Sequence, residues 1–271
     1  MEGYALLVGV DDTNKRHYGR DNNAPNALSS VEKIYDFLKE STSLNISKED
    51  KFLGNDAIFN DVKLRLEALA DLSNKKEGEE PIFLFLYLVG HGHNYERAEN
   101  EMFTFFKLYD QMLSENEFRE LLNKFHPKSK VFCVIDSCYS AGMLNKIAPS
   151  EDSLFGIRKC FSKSYPNIIA FYKDKLKHPS CEIDSSKFII ASVGEESWAN
   201  TSENGMFKFS SYFLSELENN QTKNLNYCDF FDVLHNKFIQ MSRDTGNNQI
   251  PKLFPKKSIE NYFKNNKPLI I

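Results

Sequence analysis

The sequence predicts an α/β protein built on a mostly parallel sheet, and three features carry that expectation. Short runs that are apolar on both faces recur at residues 81–89, 131–135 and 188–193, as central parallel strands require when helices cover both sides of the sheet. Each run stops abruptly at small or polar residues. Between the runs lie stretches with apolar residues at helical spacing, so that strand and helix alternate along the chain. With 271 residues, 41% of them hydrophobic and 27% charged, the chain can bury a full core, and disordered, collagen-like and disulfide-scaffold classes are excluded.

The first element is Tyr4 to Val10 (YALLVGV), a buried strand ending in the turn cluster Asp11-Asp12-Thr13-Asn14. After a polar loop through Gly19 and Pro25, Ala27 to Lys39 places Leu28, Val31, Ile34, Tyr35 and Leu38 on one face of a helix. A second helix is expected over Ile58 to Leu72, where Val62, Leu66, Leu69 and Leu72 repeat similarly, followed by a charged loop from Lys75 to Glu80. The run Pro81 to Val89 (PIFLFLYLV) then halts at Gly90-His91-Gly92. Ser114 with Glu117 has the signature of a capping box, opening a helix to Lys124 that turns Phe118, Leu121 and Leu122 inward. Val131 to Ile135 (VFCVI) is the next strand and ends in Asp136-Ser137-Cys138-Tyr139-Ser140-Ala141-Gly142. From Asn145 to Ser186 periodicity weakens around Pro149, Pro166 and Pro179, which predicts a long connection. Phe188 to Val193 is a further strand, and helices are expected near Phe207 to Leu217 and Tyr227 to Met241.

Several classes of function are excluded at this level. The longest apolar run, Ile82 to Val89, is far shorter than the roughly 20 residues needed to span a bilayer. Met1-Glu2-Gly3-Tyr4 has no basic stretch followed by an apolar one, so a cytoplasmic protein without membrane association is expected. Cys133, Cys138, Cys160, Cys181 and Cys228 form no metal-spacing cluster and are expected to be free thiols. A net charge of −4 with no basic stripe argues against nucleic acid as a partner.

Ligands of open α/β sheets bind at the carboxyl ends of the strands. Two such ends carry reactive side chains, His91 and Cys138, each directly after a buried run and each beside small residues. Alone, a turn histidine or a cysteine is an ordinary structural residue. On neighbouring strands about 4.8 Å apart, or with one strand between them, they converge on one crevice. A histidine roughly 50 residues before a cysteine is also the caspase arrangement.

Gly90-His91-Gly92 and Asp136-Ser137-Cys138-Tyr139-Ser140-Ala141-Gly142 resemble the caspase and metacaspase superfamily of cysteine peptidases. The Asp-Ser-Cys form is closer to metacaspases and bacterial caspase-like proteins than to animal caspases, which have Gln-Ala-Cys there. Ser197-Trp198 is similar to the substrate-binding Ser-Trp of animal caspases, and Gly205-Met206-Phe207 and Asn248-Gln249-Ile250-Pro251 fall in equivalent places. The resemblance runs from Tyr4 to Phe263. It implies a caspase-like three-layer α/β/α sandwich around a mostly parallel six-stranded sheet. It also implies one domain over 1–271, divided into a large-subunit-like part to about 145, a linker over about 146–186 and a small-subunit-like part over about 187–271. In this reading Cys138 is the nucleophile of a Cys-His dyad, His91 its acid and base, and the N–H groups of Gly92 and Cys138 hold the oxyanion. No metal or cofactor is needed. The substrate is a protein, and control comes from an activating partner protein, a ligand or processing. Glu96, Glu99 and Glu101 form no recognised calcium loop.

The resemblance also bears on specificity. Animal caspases hold an aspartate with arginines, one directly after Ser-Trp, where this chain has Ala199. Metacaspases hold arginine or lysine with acids, one of them two places before the nucleophile, where this chain has Asp136. Asn23 stands where a second acid is expected, with Asp21 close by, and Val89 replaces the usual serine before Gly-His. Cleavage after Arg or Lys is therefore expected, with an apolar preference as the alternative. A catalytically inactive scaffold and a clostripain-like or separase-like peptidase compete with this reading. The complete dyad argues against the first, the Ser-Trp and Gln-Ile-Pro elements against the second. A nucleotide-binding α/β protein would need a glycine-rich phosphate loop, which is absent from the sequence.

Overall fold

The computed structural model describes residues 1–12, 24, 26–46, 50–75, 81–96, 102–144, 186–193, 205–246, 249–255 and 259–269. Its strands are β1 (Gly3–Gly9), β2 (Lys51–Leu53), β3 (Phe83–Gly90), β4 (Gly92–Glu96), β5 (Met102–Lys107), β6 (Met112–Ser114), β7 (Lys130–Ser137), β8 (Lys187–Ala191) and β9 (Lys252–Phe254). Its helices are α1 (Ala27–Ser41), α2 (Phe59–Lys75), α3 (Glu115–Asn123), α4 (Lys208–Glu218), α5 (Tyr227–Thr245) and α6 (Asn261–Asn265).

Six strands form the main sheet in the order β2-β1-β3-β7-β8-β9, all parallel except β9, which runs antiparallel to β8. Alternation along each strand sends side chains to two separate cores. Leu84, Leu86, Leu88, Val131, Cys133 and Ile135 pack with Val62, Leu66 and Leu69 of α2 and Phe118 and Leu122 of α3. Phe83, Phe85, Tyr87, Phe132 and Val134 pack with Val31 and Ile34 of α1, Phe213 of α4 and Tyr227, Phe230 and Leu234 of α5. This is the expected three-layer sandwich. The second core is aromatic: Phe132 meets Tyr227 edge to face at 5.0 Å between ring centroids, and Phe213 meets Phe230 likewise at 5.8 Å.

The helix signals behave as the sequence predicts. The Ser114 hydroxyl accepts from the Glu117 N–H at 3.3 Å, and the Glu117 carboxylate accepts from the Ser114 N–H at 3.1 Å, closing the capping box of α3. Sequence reasoning missed five strands. β2, β6 and β9 have three residues each, too few for a period to show, and β4 (GHNYE) is polar enough to read as loop, whereas β5 (MFTFFK) has four apolar residues in six and carried a usable signal. β4, β5 and β6 make a second, antiparallel sheet. The connection expected over Asn145 to Ser186 lies outside the described residues except for Ser186.

Candidate active site

Strands β3 and β7 are neighbours, paired residue for residue from Phe83 with Lys130 to Gly90 with Ser137. The residue that follows each strand is therefore His91 on one and Cys138 on the other, both partly exposed, at adjacent carboxyl ends of the sheet. Apolar residues fill β3 up to Val89 and β7 from Val131 to Ile135, so the reactive side chains begin where the core ends. No intervening strand separates them.

Gly92 completes this corner. A Cβ built at position 92 would overlap the carbonyl oxygen of Cys138 and stand 2.8 Å from its carbonyl carbon. The glycine is thus required by the main chain of Cys138 itself. The Lys107 N–H donates to the His91 carbonyl at 2.9 Å, beside the antiparallel pairing of Gly92 with Phe106. Gly92 therefore occupies a non-hydrogen-bonded pair, and its N–H turns away from β5. On the other side, Tyr139 takes a left-handed φ of 59°, uncommon for a residue with a Cβ. The turn is pinned to the end of β8: the Ala141 N–H donates to the Val193 carbonyl at 3.2 Å, and the Val193 N–H donates to the Ser140 hydroxyl at 3.2 Å. Burial pushes the Tyr139 phenol up, and the neighbouring Cys138 adds to the shift.

Asp136 is fully buried on the α1/α4 side of β7. Its Oδ2 accepts from the Ser210 N–H at 2.9 Å and from the Ser210 hydroxyl at 2.5 Å. Ser210 lies in the first turn of α4, where a backbone N–H has no partner within the helix and attracts negative charge. Behind it, the Tyr87 hydroxyl lies 2.5 Å from the Ser210 hydroxyl. The Phe207 N–H donates to Ser30 of α1 at 2.8 Å, and Ser30 also interacts with Tyr87. Desolvation pushes the Asp136 carboxyl from 3.8 up to about 6, against the opposing pull of Ser210 and Ser192. Asp136 Oδ1 is buried and, among the described residues, has no partner of hydrogen-bond geometry.

Four sites expected from sequence, His91, Gly92, Asp136 and Cys138, thus gather at the ends of β3 and β7. Asp21, Asn23, Ser197, Trp198 and Ala199 lie outside the described residues. Sequence reasoning missed Ser210 and Tyr87. Tyr87 carried a usable signal, because a phenol inside a continuously apolar strand must find a buried partner for its hydroxyl. Among the described residues no group of acids, histidines and cysteines could hold a metal, and no helix is long and apolar enough to cross a membrane. Cys133, Cys138 and Cys228 are free thiols. A cavity of about 830 Å³ lined by Lys33, Phe37, Glu40, Leu214 and Glu218 opens between α1 and α4, toward the opposite end of the sheet.

Comparison with known proteins agrees with this architecture. A crystal structure of a Geobacter sulfurreducens protein superimposes with a TM-score of 0.72 at 16% identity, covering 100% of this chain and 99% of that one, and so shares the fold. No curated protein matches the chain in sequence. The family model for the caspase domain matches residues 2–263. By its sequence over nearly its whole length, the chain belongs to the caspase-domain family of peptidases.

Proposed function

We propose that the protein is a cysteine endopeptidase in which Cys138 and His91 form the catalytic dyad and which cuts protein substrates after Arg or Lys. The observation that carries this reading is the pairing of Gly90 with Ser137, which sets the two reactive residues side by side at adjacent strand ends. His91 takes the Cys138 thiol proton, and the thiolate attacks the scissile carbonyl. The N–H groups of Gly92 and Cys138 receive the oxyanion, a contribution of about 3 kcal/mol per donor in comparable enzymes. The imidazolium returns its proton to the leaving amine. Water, deprotonated by His91, then hydrolyses the thioester, releasing the acid and restoring the thiol. Asp136 supplies the negative charge that a basic side chain seeks in a buried pocket.

A peptidyl chloromethylketone ending in arginine tests both halves. Expected is one covalent adduct on Cys138, lost in Cys138→Ala and slowed strongly in His91→Ala. A folded protein that forms no adduct and cleaves no member of a peptide library overturns the reading.

A further inference from the structure

The carboxylate of Asp136 has two oxygens in different surroundings. Oδ2 accepts two hydrogen bonds from one residue, the N–H and the hydroxyl of Ser210 at 2.9 and 2.5 Å. Since the single Ser210 hydroxyl proton is used on Asp136, the Tyr87 hydroxyl 2.5 Å away is the donor in the next contact. The chain of donors runs from Tyr87 on β3 through Ser210 on α4 to Asp136 on β7, all buried. Both acceptor directions of Oδ2 are filled, whereas Oδ1 has no partner of hydrogen-bond geometry among the described residues; the buried Ser192 hydroxyl adds to the pull on the carboxylate but closes no hydrogen bond of that geometry. A helix cap alone would need one bond to the N–H; the added hydroxyl and the phenol behind it fix the rotation of the carboxylate as well.

We propose that Ser210, backed by Tyr87, is a specificity-positioning residue that occupies Oδ2 of Asp136 and so presents Oδ1 as an oriented end-on acceptor for a substrate ammonium or guanidinium. The inference rests on the reading of Asp136 as the acceptor of a basic substrate side chain, and it deepens that reading. With Oδ2 occupied, Asp136 cannot take a guanidinium through both of its oxygens, so it gives arginine no advantage of fork geometry over the point charge of lysine.

The test uses the full chain and matched fluorogenic peptides with Arg, Lys or Leu at the cleaved position. In wild type, Arg and Lys peptides are expected to have KM values within about threefold of each other. Ser210→Ala is expected to raise KM for both about tenfold while kcat moves less than about threefold, because a hydrogen bond to a charged group is lost without disturbing the dyad. Ser210→Thr retains hydroxyl and N–H and is expected to restore KM. Tyr87→Phe gives a smaller shift in the same direction and replaces the alanine variant if that fails to fold, as judged by circular dichroism. A proportionate loss on Arg, Lys and Leu peptides would show a purely structural role and overturn the proposal. Unchanged KM in Ser210→Ala, with basic preference present in wild type and absent in Asp136→Asn, overturns the proposal and leaves the reading of Asp136 standing. A wild type that cleaves Leu peptides as well as basic ones removes that reading, and the proposal with it.

Discussion

Gly92 and Cys138 meet main chain to main chain, with the α-carbon of the glycine against the carbonyl of the cysteine and no space for a side chain between them. Cys138 follows the end of β7, and Gly92 opens β4. The contact therefore ties the small antiparallel sheet to the turn that carries the proposed nucleophile.

Gly92→Ala must push this turn away or displace β4. The overlapped atoms are backbone, which cannot swing aside, so the cost is expected to reach about 2 kcal/mol in chemical unfolding. In the peptidase reading, activity is expected to fall at least about a hundredfold, because displacement by a fraction of an ångström would misalign both the proposed nucleophile and the proposed oxyanion donor. Alanine tolerated with full activity would show that the turn does not need this contact.

The thiols should sort by environment. Cys133 is fully buried in an apolar core, and burial pushes its thiol well up. Cys228 is half-buried, and burial together with Asp229 and Asp232 pushes it up as well. Limited alkylation at neutral pH followed by peptide mapping is expected to modify Cys138 ahead of both. His91→Ala should slow modification of Cys138 about tenfold or more while leaving the other two unchanged, since thiolate formation would then lack its base.

Asp136 makes a signed prediction about pH. Its carboxyl rises from 3.8 to about 6 in the folded state, so folding disfavours the ionised form. The folded protein holds this proton more tightly than the unfolded chain. The associated stability is fully present below about pH 4 and is lost as pH rises through about 6, a change on the order of 3 kcal/mol for a shift of about two units. Asp136→Asn removes this dependence. Denaturant unfolding at pH 5 and pH 8 is expected to show wild type losing more stability on going to pH 8 than the variant does. Equal losses would mean that Asp136 is not held in this environment. In the peptidase reading, cleavage of basic substrates should fall off below about pH 6 as the same group protonates.

Ser114→Ala removes the hydroxyl that caps α3. About 1 kcal/mol of stability is expected to be lost by thermal or chemical unfolding, because the Glu117 N–H then has no side-chain acceptor at this end.

The central strands were legible because Ile82 to Val89 and Val131 to Ile135 are apolar on both faces, which only a sheet covered on two sides explains. His91 and Cys138 were legible because each interrupts such a run at its carboxyl end. Their adjacency was not, since strand order is decided by long-range packing. β5 was legible in principle, because Met102, Phe103, Phe105 and Phe106 are apolar and rich in β-formers; what the sequence did not show is that Thr104 and Lys107, polar by type, are buried in it at 1% and 3% exposure. The Ser210 contact was hidden because a serine in the first turn of a helix reads as local, and its partner lies far away on β7.

The paired run from Phe83 and Lys130 to Gly90 and Ser137 leaves little scope for intermediate outcomes. A slip of one residue would exchange the Phe83, Phe85 and Tyr87 face with the Leu84, Leu86 and Leu88 face, mismatching two cores of different shape. Molecules with the wrong pairing should accordingly be inert, with no partly active population, and in a preparation of this protein the titre of reactive Cys138 should count the correctly assembled fraction.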